Sequence, residues 1–359
     1  MGLKKSNFKK NILILLGFGF VMMNIVANFH ARKFTHFTDN KIERTTSPTE
    51  LSNFDKIKTI IFGVNNPRPK NEIQPQGEFE TIIIDGTKAI EAWHIKKDSA
   101  KGTVIICHGY SGCKSKMLTQ SEAFNNLGFN TLVIDFMGSG GSEGKQTTIG
   151  FYEAEQVKNA LNYIRKQGEK NIILYGTSMG SAAIMKMEAD DQLHPNAIII
   201  ECPFGTMLET VKARFKIMHI PSFPMAYLLM FWGGIQNNFN AFEHNPNEYA
   251  KKISCPTLLL YGALDAKVSR KEIDDIYKNL AGKKSLKVYE NVGHENYLEK
   301  NKEEWMKDVG EFVLDLSKPK IKFLFKKYFF GRATAPKSSV GHSACIFCSC
   351  LPKGYRFLR

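Results

Sequence analysis

One five-residue motif in the sequence has the composition of a nucleophile turn. Gly176-Thr177-Ser178-Met179-Gly180 has the pattern G-x-S-x-G and lies between the apolar run 171–175 and a helical pattern that begins at Met179. A strand that turns directly into a helix crowds the backbone around the serine, so it favours small neighbours and exposes the hydroxyl at the sheet edge. The alternative is a helix-capping serine in a glycine-rich turn. The strand–turn–helix context favours Ser178 as a nucleophile.

A serine hydroxyl is a poor nucleophile until a base removes its proton, and the base needs an acid to orient it. His294, which follows the last predicted strand, is the candidate base because imidazole titrates near neutrality. Asp265, which follows the strand before it, is the candidate acid, and Glu201, at the end of another apolar run, is its rival. The alternatives are a loop histidine at a helix start and an aspartate that caps a turn. The chain order serine, aspartate, histidine favours a catalytic triad.

Two backbone N–H groups are needed to bind the oxyanion that forms during acyl transfer. Met179 is one candidate donor, because it follows the nucleophile and starts a helix. Tyr110 is the other candidate, in the turn after the third predicted strand. His108, at the start of the same turn, is expected to brace it by hydrogen bonds and not to act as a base.

Eight short apolar segments predict the strands that must position these residues. The first two alternate apolar with polar residues and flank the turn Asp85-Gly86, which indicates a hairpin. The others are continuous apolar runs, which are typical of strands buried on both faces of a parallel sheet. The predicted strands are residues 78–84, 89–95, 103–108, 131–136, 171–176, 197–202, 257–262 and 285–290.

Amphipathic segments between the strands predict helices. Residues 150–167 place Val157, Leu161 and Ile164 on one face, at helical spacing. The other predicted helices are residues 51–62, 179–187, 271–280 and 297–316. Strands that alternate with helices indicate the α/β class, here a mostly parallel eight-stranded twisted sheet with helices on both faces and a short helical lid insert.

Five segments resemble the α/β-hydrolase superfamily, over roughly residues 78–316. The resemblance rests on residues 108–112 (HGYSG), 135–142 (DFMGSGGS), 176–180 (GTSMG), 260–265 (LYGALD) and 293–295 (GHE). The second of these is similar to a turn of the serine aminopeptidase S33 or monoacylglycerol-lipase-like branch, with Met137 where that pattern has arginine. Within the branch, the chain looks most like exported or membrane-anchored bacterial hydrolases. The resemblance implies the α/β-hydrolase fold and the triad of that family.

The insert at residues 203–250 lies where such enzymes carry a lid, and its stretch 221–234 is strongly apolar. One interpretation is a small helical cap that forms an acyl-binding wall. The alternative is ordinary packing of an insert against the core. The residues that would line the wall are Phe204, Met225, Leu229, Phe231 and Trp232.

Basic residues are concentrated at the two ends of the chain. The formal charge is +14, but residues 1–33 and 318–359 together hold sixteen basic residues and no acid, which leaves −2 for residues 34–317. The middle therefore shows no electrostatic footprint for nucleic acid. Four lysines precede the apolar run Ile12–Ala27, which predicts a signal anchor over residues 1–33, with the catalytic domain outside the cytoplasm.

Cleavage of the N-terminal segment, which would give a secreted protein, is the alternative to an anchor.

Residues 34–77 contain four prolines and are predicted to be a linker. Residues 78–317 are predicted to be the hydrolase domain, and residues 318–359 a basic tail. The basic ends favour a membrane surface as a partner.

The leading hypothesis from these residues is hydrolysis of a small acyl ester through an acyl-enzyme intermediate, in the carboxylesterase or lipase class. Neither a metal nor an organic cofactor is expected. Two alternatives stay open, because one scaffold supports many activities. The first is a peptidase or aminopeptidase that acts on small peptides. The second is a non-catalytic protein with the hydrolase fold that binds a ligand or a partner at a membrane.

Overall fold

Eight strands form one sheet in the computed structural model, which describes residues 3–46 and 51–317. Along the sheet their order is β1-β2-β4-β3-β5-β6-β7-β8. The first two strands are antiparallel to each other, β2 is antiparallel to β4, and all other neighbours are parallel. The strands are β1 (Glu80–Ile84), β2 (Ile90–Ile95), β3 (Thr103–Cys107), β4 (Asn130–Ile134), β5 (Ile172–Thr177), β6 (Ala197–Glu201), β7 (Thr257–Gly262) and β8 (Lys284–Tyr289).

This topology confirms the predicted fold class, and each predicted strand overlaps one observed strand. The continuous apolar runs are buried on both faces, as expected for central parallel strands. All five side chains of β3 and all five of β6 are buried. The predicted basic tail at residues 318–359 lies outside the described residues.

The helices cover both faces of the sheet and supply the lid. One face packs Val157, Leu161 and Ile164, as their spacing predicted, and the other packs Phe124 against Trp305, with ring centroids 5.7 Å apart. The helices are α1 (Leu3–Thr35), α2 (Asn53–Phe62), α3 (Leu118–Asn126), α4 (Glu153–Lys166), α5 (Met179–Asp191), α6 (Met207–Ile217), α7 (Met225–Gln236), α8 (Pro246–Ala250), α9 (Arg270–Asn279), α10 (Tyr297–Lys300) and α11 (Lys302–Ser317). The predicted helix at residues 297–316 is thus two helices that meet at Asn301.

The N-terminal helix α1 has the properties of a membrane anchor. Its stretch Phe8–Thr35 spans 28 residues and is long and apolar enough to cross a membrane. Only 6% of its most apolar window is buried against the rest of the chain. The described part of the predicted anchor lies in this one helix, which runs from Leu3 to Thr35.

The segment predicted as a linker, residues 34–77, contacts the hydrolase domain at several points. Phe37 is buried and its N–H donates to the carbonyl of Lys145. The Arg68 side chain donates to three carbonyls of one turn, those of Gly140, Ser142 and Gly144. These bonds hold the segment against the turn that follows β4.

A buried ion cluster fixes that same turn. Lys114 is fully buried, and its ammonium group contacts the carboxylates of Asp135 and Glu91 while lying 4.5 Å above the ring of Trp93. Asp135 also accepts the backbone N–H of Lys114 at 2.7 Å. The cationic partner of Asp135 is thus Lys114, in a chain that has Met137 where the family pattern has arginine.

We expect Lys114→Met to destabilise the fold strongly. The substitution keeps most of the apolar stem but leaves the carboxylate of Asp135 buried without a cation, which costs about 3–5 kcal/mol of unfolding free energy. Urea unfolding followed by circular dichroism measures the loss. Lys116→Met, an exposed position in the same helical turn, is the control and should change stability by less than about 0.5 kcal/mol. Equal stability of the two variants would contradict the assigned role of the cluster.

Candidate active site

Ser178 lies in a strained turn between β5 and α5. Its backbone has φ 48° and ψ −107°, a conformation that non-glycine residues rarely adopt. Its N–H donates to the carbonyl of Glu201 at 2.8 Å, and its own carbonyl accepts from Ala182 at 3.1 Å. The serine is therefore held by the neighbouring strand on one side and by the first turn of α5 on the other.

The two glycines of the motif are required by close backbone packing. A Cβ on Gly180 would lie 2.4 Å from the carbonyl oxygen of Cys107, and a Cβ on Gly176 would lie 2.7 Å from the carbonyl carbon of Gly180. Neither distance is compatible with a side chain. The G-x-S-x-G pattern thus follows from how tightly α5 approaches the end of β3.

His294 reaches Ser178 from the loop between β8 and α10. Its Nε2 lies 3.1 Å from Ser178 Oγ, and its Nδ1 lies 2.7 Å from Asp265 Oδ2. We assign the proton to Nδ1, so that Nδ1–H donates to the carboxylate and Nε2 accepts the serine hydroxyl. The three residues that the sequence singled out are joined by one chain of hydrogen bonds.

Asp265 is oriented by the turn that follows β7. Its side chain is fully buried, and Oδ1 accepts the N–H groups of Lys267 at 2.7 Å and Val268 at 2.9 Å. Those two bonds leave Oδ2 directed at His294.

Glu201, the rival acid, faces the other side of the sheet. Its Oε1 accepts the indole N–H of Trp305 at 2.7 Å, and burial raises the pKa of its carboxyl to about 7. Only its backbone carbonyl contacts the serine. The geometry therefore favours Asp265 over Glu201 as the partner of His294.

The turn after β3 lies directly beside the serine. A Cβ on Gly109 would lie 3.7 Å from Ser178 Cβ. His108 is fully buried, and its Nδ1–H donates to the carbonyl of Gly109 at 2.8 Å while Nε2 accepts the N–H of Phe136 at 3.0 Å. Burial lowers the pKa of this imidazole, which favours its neutral form. His108 thus braces the turn that carries Tyr110, and Met179, directly after Ser178, begins α5.

Tyr110 connects this turn to the end of the N-terminal helix. Its hydroxyl donates to the carbonyl of Phe34 at 2.7 Å, and the Asn66 amide donates to the same hydroxyl at 3.1 Å. The Tyr110 ring stacks on Phe34 with centroids 4.6 Å apart. No local pattern in the sequence predicts this contact, because Phe34 and Tyr110 are 76 residues apart.

Arg214, like Phe34, lies near the candidate site and was not predicted from the sequence. It projects from α6 so that its guanidinium lies 5.5 Å from the centroid of the Phe34 ring, and it donates to the carbonyl of Thr210 at 2.6 Å. Among the described residues its contacts are thus a ring and a carbonyl, and not a carboxylate. In the sequence it was one cation among several on a lid helix.

A thiol completes the surroundings of the triad. Cys202 Sγ, a carboxylate oxygen of Asp265 and a ring nitrogen of His294 lie within 4.8 Å of one another, a spacing that a metal ion could bridge. Burial raises the pKa of the Cys202 thiol well above its ordinary value, which disfavours the thiolate that a metal needs. The direct bond between Asp265 and His294 accounts for their positions without an ion.

The five residues predicted as one substrate wall do not form one surface. Phe204 packs in the core against His244, with ring centroids 5.4 Å apart, and Trp232 donates to Asn24 of α1 at 3.1 Å. Phe231 is 48% exposed and helps to line a cavity of about 360 Å³ between α7 and residues 238–242. Met225 and Leu229 are partly buried along α7. The wall is split because the apolar residues of a helix point in different directions around its axis.

We expect Gly180→Ala to destabilise the turn. The added methyl group would overlap the carbonyl of Cys107, and such overpacking costs about 1–3 kcal/mol of unfolding free energy. Gly310→Ala in α11 is the control, because a Cβ there would lie 3.6 Å from its nearest neighbour. The control should gain up to about 1 kcal/mol from helix propensity. Urea unfolding measures both, and a Gly180→Ala chain as stable as the wild type would disprove the close contact.

Burial of Glu201 should make stability depend on pH. Because its pKa is raised from 4.5 to about 7 on folding, the folded state favours the protonated carboxyl. The protonated Glu201 carboxyl stabilises the folded state fully below pH 4.5, and this stabilisation is lost as the pH rises through 7. Between pH 4.5 and pH 7 we expect the free energy of unfolding of the wild type to fall by about 3 kcal/mol relative to that of Glu201→Gln. Urea unfolding at several pH values measures this difference, and parallel curves for the two chains would contradict it.

Comparison with known proteins agrees with the fold and with the motifs. The family model described as serine aminopeptidase, S33, matches residues 98–246. The uncharacterized protein YqkD of Bacillus subtilis is 28% identical over 228 residues, which cover 62% of this chain and 75% of that protein. The lysophosphatidylserine lipase ABHD12 of Danio rerio is 25% identical over 204 residues, 54% of this chain, and the match spans about half (51%) of the lipase.

A solved structure shows the same architecture. The esterase Pf2001 of Pyrococcus furiosus superposes with a TM-score of 0.58 at 23% identity, covering 69% of this chain and 98% of the esterase. Its low identity makes this a likeness of fold. Together with the strand order, it shows that the chain has the α/β-hydrolase fold, and residues 98–246 are similar to the serine aminopeptidase S33 family.

Proposed function

We propose that this protein is a serine hydrolase that cleaves a carboxylic ester through an acyl-enzyme intermediate. The observation that carries the proposal is the chain of hydrogen bonds from Asp265 Oδ2 through His294 to Ser178 Oγ, with lengths of 2.7 and 3.1 Å. It ends at a serine whose strained backbone exposes the hydroxyl beside the start of a helix. This is the arrangement that converts an alcohol into a nucleophile at neutral pH.

In the first half-reaction, Ser178 Oγ attacks the ester carbonyl while His294 Nε2 takes the hydroxyl proton. The carbonyl oxygen becomes an oxyanion, for which the N–H groups of Met179 and Tyr110 are the proposed donors. The C–O bond to the leaving alcohol then breaks, and His294 returns the proton to that alcohol. The acyl group stays on Ser178 as an ester.

In the second half-reaction, water takes the place of the alcohol. His294 Nε2 removes a proton from water as its oxygen attacks the acyl carbonyl, and the bond to Ser178 Oγ breaks as the proton returns to the serine. Asp265 stabilises the imidazolium in both halves. The two N–H groups that bind Oδ1 keep the carboxylate of Asp265 in place while the charge on the His294 imidazole changes.

Two features favour esters over peptides as substrates. An aminopeptidase needs an acid near the triad to bind a free amine, but the carboxyl of Glu201 faces Trp305 on the other side of the sheet. Glu295, next to His294, is paired with Lys300 at 3.5 Å. The similar protein from Danio rerio is named as a lipase and the structural neighbour as an esterase, which agrees with this preference.

The proposed location is a membrane surface. Helix α1 would act as an uncleaved signal anchor, with its N-terminal lysines on the cytoplasmic side and the hydrolase domain on the other side. Cleavage of the anchor would release the domain as a secreted enzyme.

Substitution of the triad tests the proposal. Ser178→Ala, His294→Ala and Asp265→Asn should each lower kcat by at least about 10³-fold, because these groups act as one unit. The measurement is hydrolysis of p-nitrophenyl esters of graded chain length beside aminoacyl anilides, with labelling by a fluorophosphonate probe. Glu201→Gln is the matched control, a neutral replacement of the rival acid that should retain activity and labelling.

Four results would overturn parts of this proposal. Labelling of Ser178→Ala as strong as the wild type would remove Ser178 as the nucleophile. Full activity of Asp265→Asn together with inactive Glu201→Gln would exchange the two acids. Cleavage of anilides in preference to esters would make the protein a peptidase, and absence of both activities and of labelling would favour a binding role.

A further inference from the structure

The lid helix α7 packs along the helix that could cross a membrane. The indole N–H of Trp232 donates to Asn24 Oδ1 at 3.1 Å, and the amide of Gln236 donates to the carbonyl of Asn28 at 2.8 Å. Both pairs are separated by 208 residues, so α7 and α1 run in the same direction here. On this stretch α1 has the small buried residue Ala27, which permits a close approach.

The length of α1 makes this contact informative. Lys9 and Lys10 mark the N-terminal limit of its apolar stretch, and from Asn11 to Met22 almost every side chain is exposed. Twelve residues of helix reach only about 18 Å, whereas the hydrocarbon core of a bilayer is about 30 Å thick. The helix can cross the core only if the stretch beside α7 lies in lipid as well.

Helix α7 has the composition for such a position. Its sequence, MAYLLMFWGGIQ, has no charged residue. Tyr227, Phe231 and Ile235 are 39%, 48% and 52% exposed and recur at every fourth residue, so they form one ridge along the helix. Phe223, just before α7, is 76% exposed and extends the ridge. We call these four residues the lid ridge.

A charged side chain lies beside the lid ridge, and an amphipathic helix lies near the C-terminal end of α1. Lys212 of α6 pairs with Glu209 at 3.0 Å and lies 5.6 Å from the centroid of the Tyr227 ring, from where its stem could extend to lipid headgroups. Near the other end of α1, helix α2 has no buried residue and ends at Gly63, where a Cβ would lie 3.4 Å from the stem of Lys33. Exposed apolar and basic side chains on one short helix are typical of a membrane surface.

We propose that the lid ridge is immersed in the bilayer beside α1, so that the site takes its ester from the lipid phase and the substrate is an acyl lipid. The occupant of the ridge is lipid, because α7 packs along α1, whose exposed side chains are also apolar. The assignment of an acyl lipid as substrate rests on the proposed hydrolase function. The position of the lid ridge in the bilayer does not depend on that function.

Tryptophan fluorescence in vesicles tests the position of the lid. The full chain with Trp232→Phe keeps only Trp93 and Trp305, which are buried in the hydrolase domain. Tyr227→Trp then reports on the lid ridge, Phe18→Trp on α1, and Leu314→Trp on an exposed site of α11. The vesicles contain phosphatidylcholine and phosphatidylglycerol, with or without bromine on the acyl chains.

We expect bromine to quench the tryptophans at positions 18 and 227 and to leave the one at position 314 unquenched. Quenching at position 18 with none at position 227 would overturn the proposal and leave the anchor in place. Lack of quenching at both positions would overturn it together with insertion of α1.

Hydrolysis by a polar ridge variant tests the source of the substrate. Tyr227→Ser combined with Ile235→Ser should lower hydrolysis of a fluorogenic acyl ester embedded in vesicles at least about tenfold relative to soluble p-nitrophenyl acetate, because each substitution removes an apolar side chain from lipid. An equal ratio in the variant and the wild type would contradict uptake from the bilayer. If the wild type cleaves neither ester, the proposed hydrolase function fails, which is a distinct result.

Discussion

The site is positioned by one backbone contact, the approach of the first turn of α5 to the end of β3. At Gly180 there is no room for a side chain beside the carbonyl of Cys107. This contact fixes the start of α5 against the sheet, and the N–H of Ser178 is fixed in turn by the carbonyl at the end of β6. The serine hydroxyl is therefore set by the parallel sheet itself. The imidazole and the acid come from loops that have only to reach a point already determined.

Two buried carboxyl groups near the ends of adjacent strands show how environment separates their roles. Asp265 lies in a turn beyond β7, where two N–H groups bind one carboxylate oxygen and the other oxygen is left for His294. Glu201 is the last residue of β6 and points to the opposite face, where the indole of Trp305 is its donor and burial raises its pKa. The alternation of side chains along β6 directs Glu201 to that face, whereas backbone N–H groups of a turn orient Asp265.

The sequence was sufficient for the sheet and for the three residues joined by hydrogen bonds, because apolar runs mark buried strands and functional residues of this fold follow strand ends. The sequence was not sufficient to predict which residues contact each other, because an apolar pattern indicates that a side chain is buried without indicating its partner. The lid residue Trp232 was predicted to line a pocket, yet it contacts Asn24. No pattern in the sequence paired Lys114 with Asp135, and only the folded chain brings the two together. Residues 34–77 looked like a linker because prolines and polar residues are compatible with both a free and a bound segment.

Because Phe34 contacts Tyr110, the position of any proteolytic cut in the N-terminal segment determines whether this contact is kept. A cut after Ala27 would release the domain with Phe34 still bonded to the tyrosine hydroxyl. A cut beyond Phe37 would remove that carbonyl and leave the amide of Asn66 without one of its acceptors. Two cuts about ten residues apart would therefore differ in whether the turn after β3 keeps its contact with Phe34.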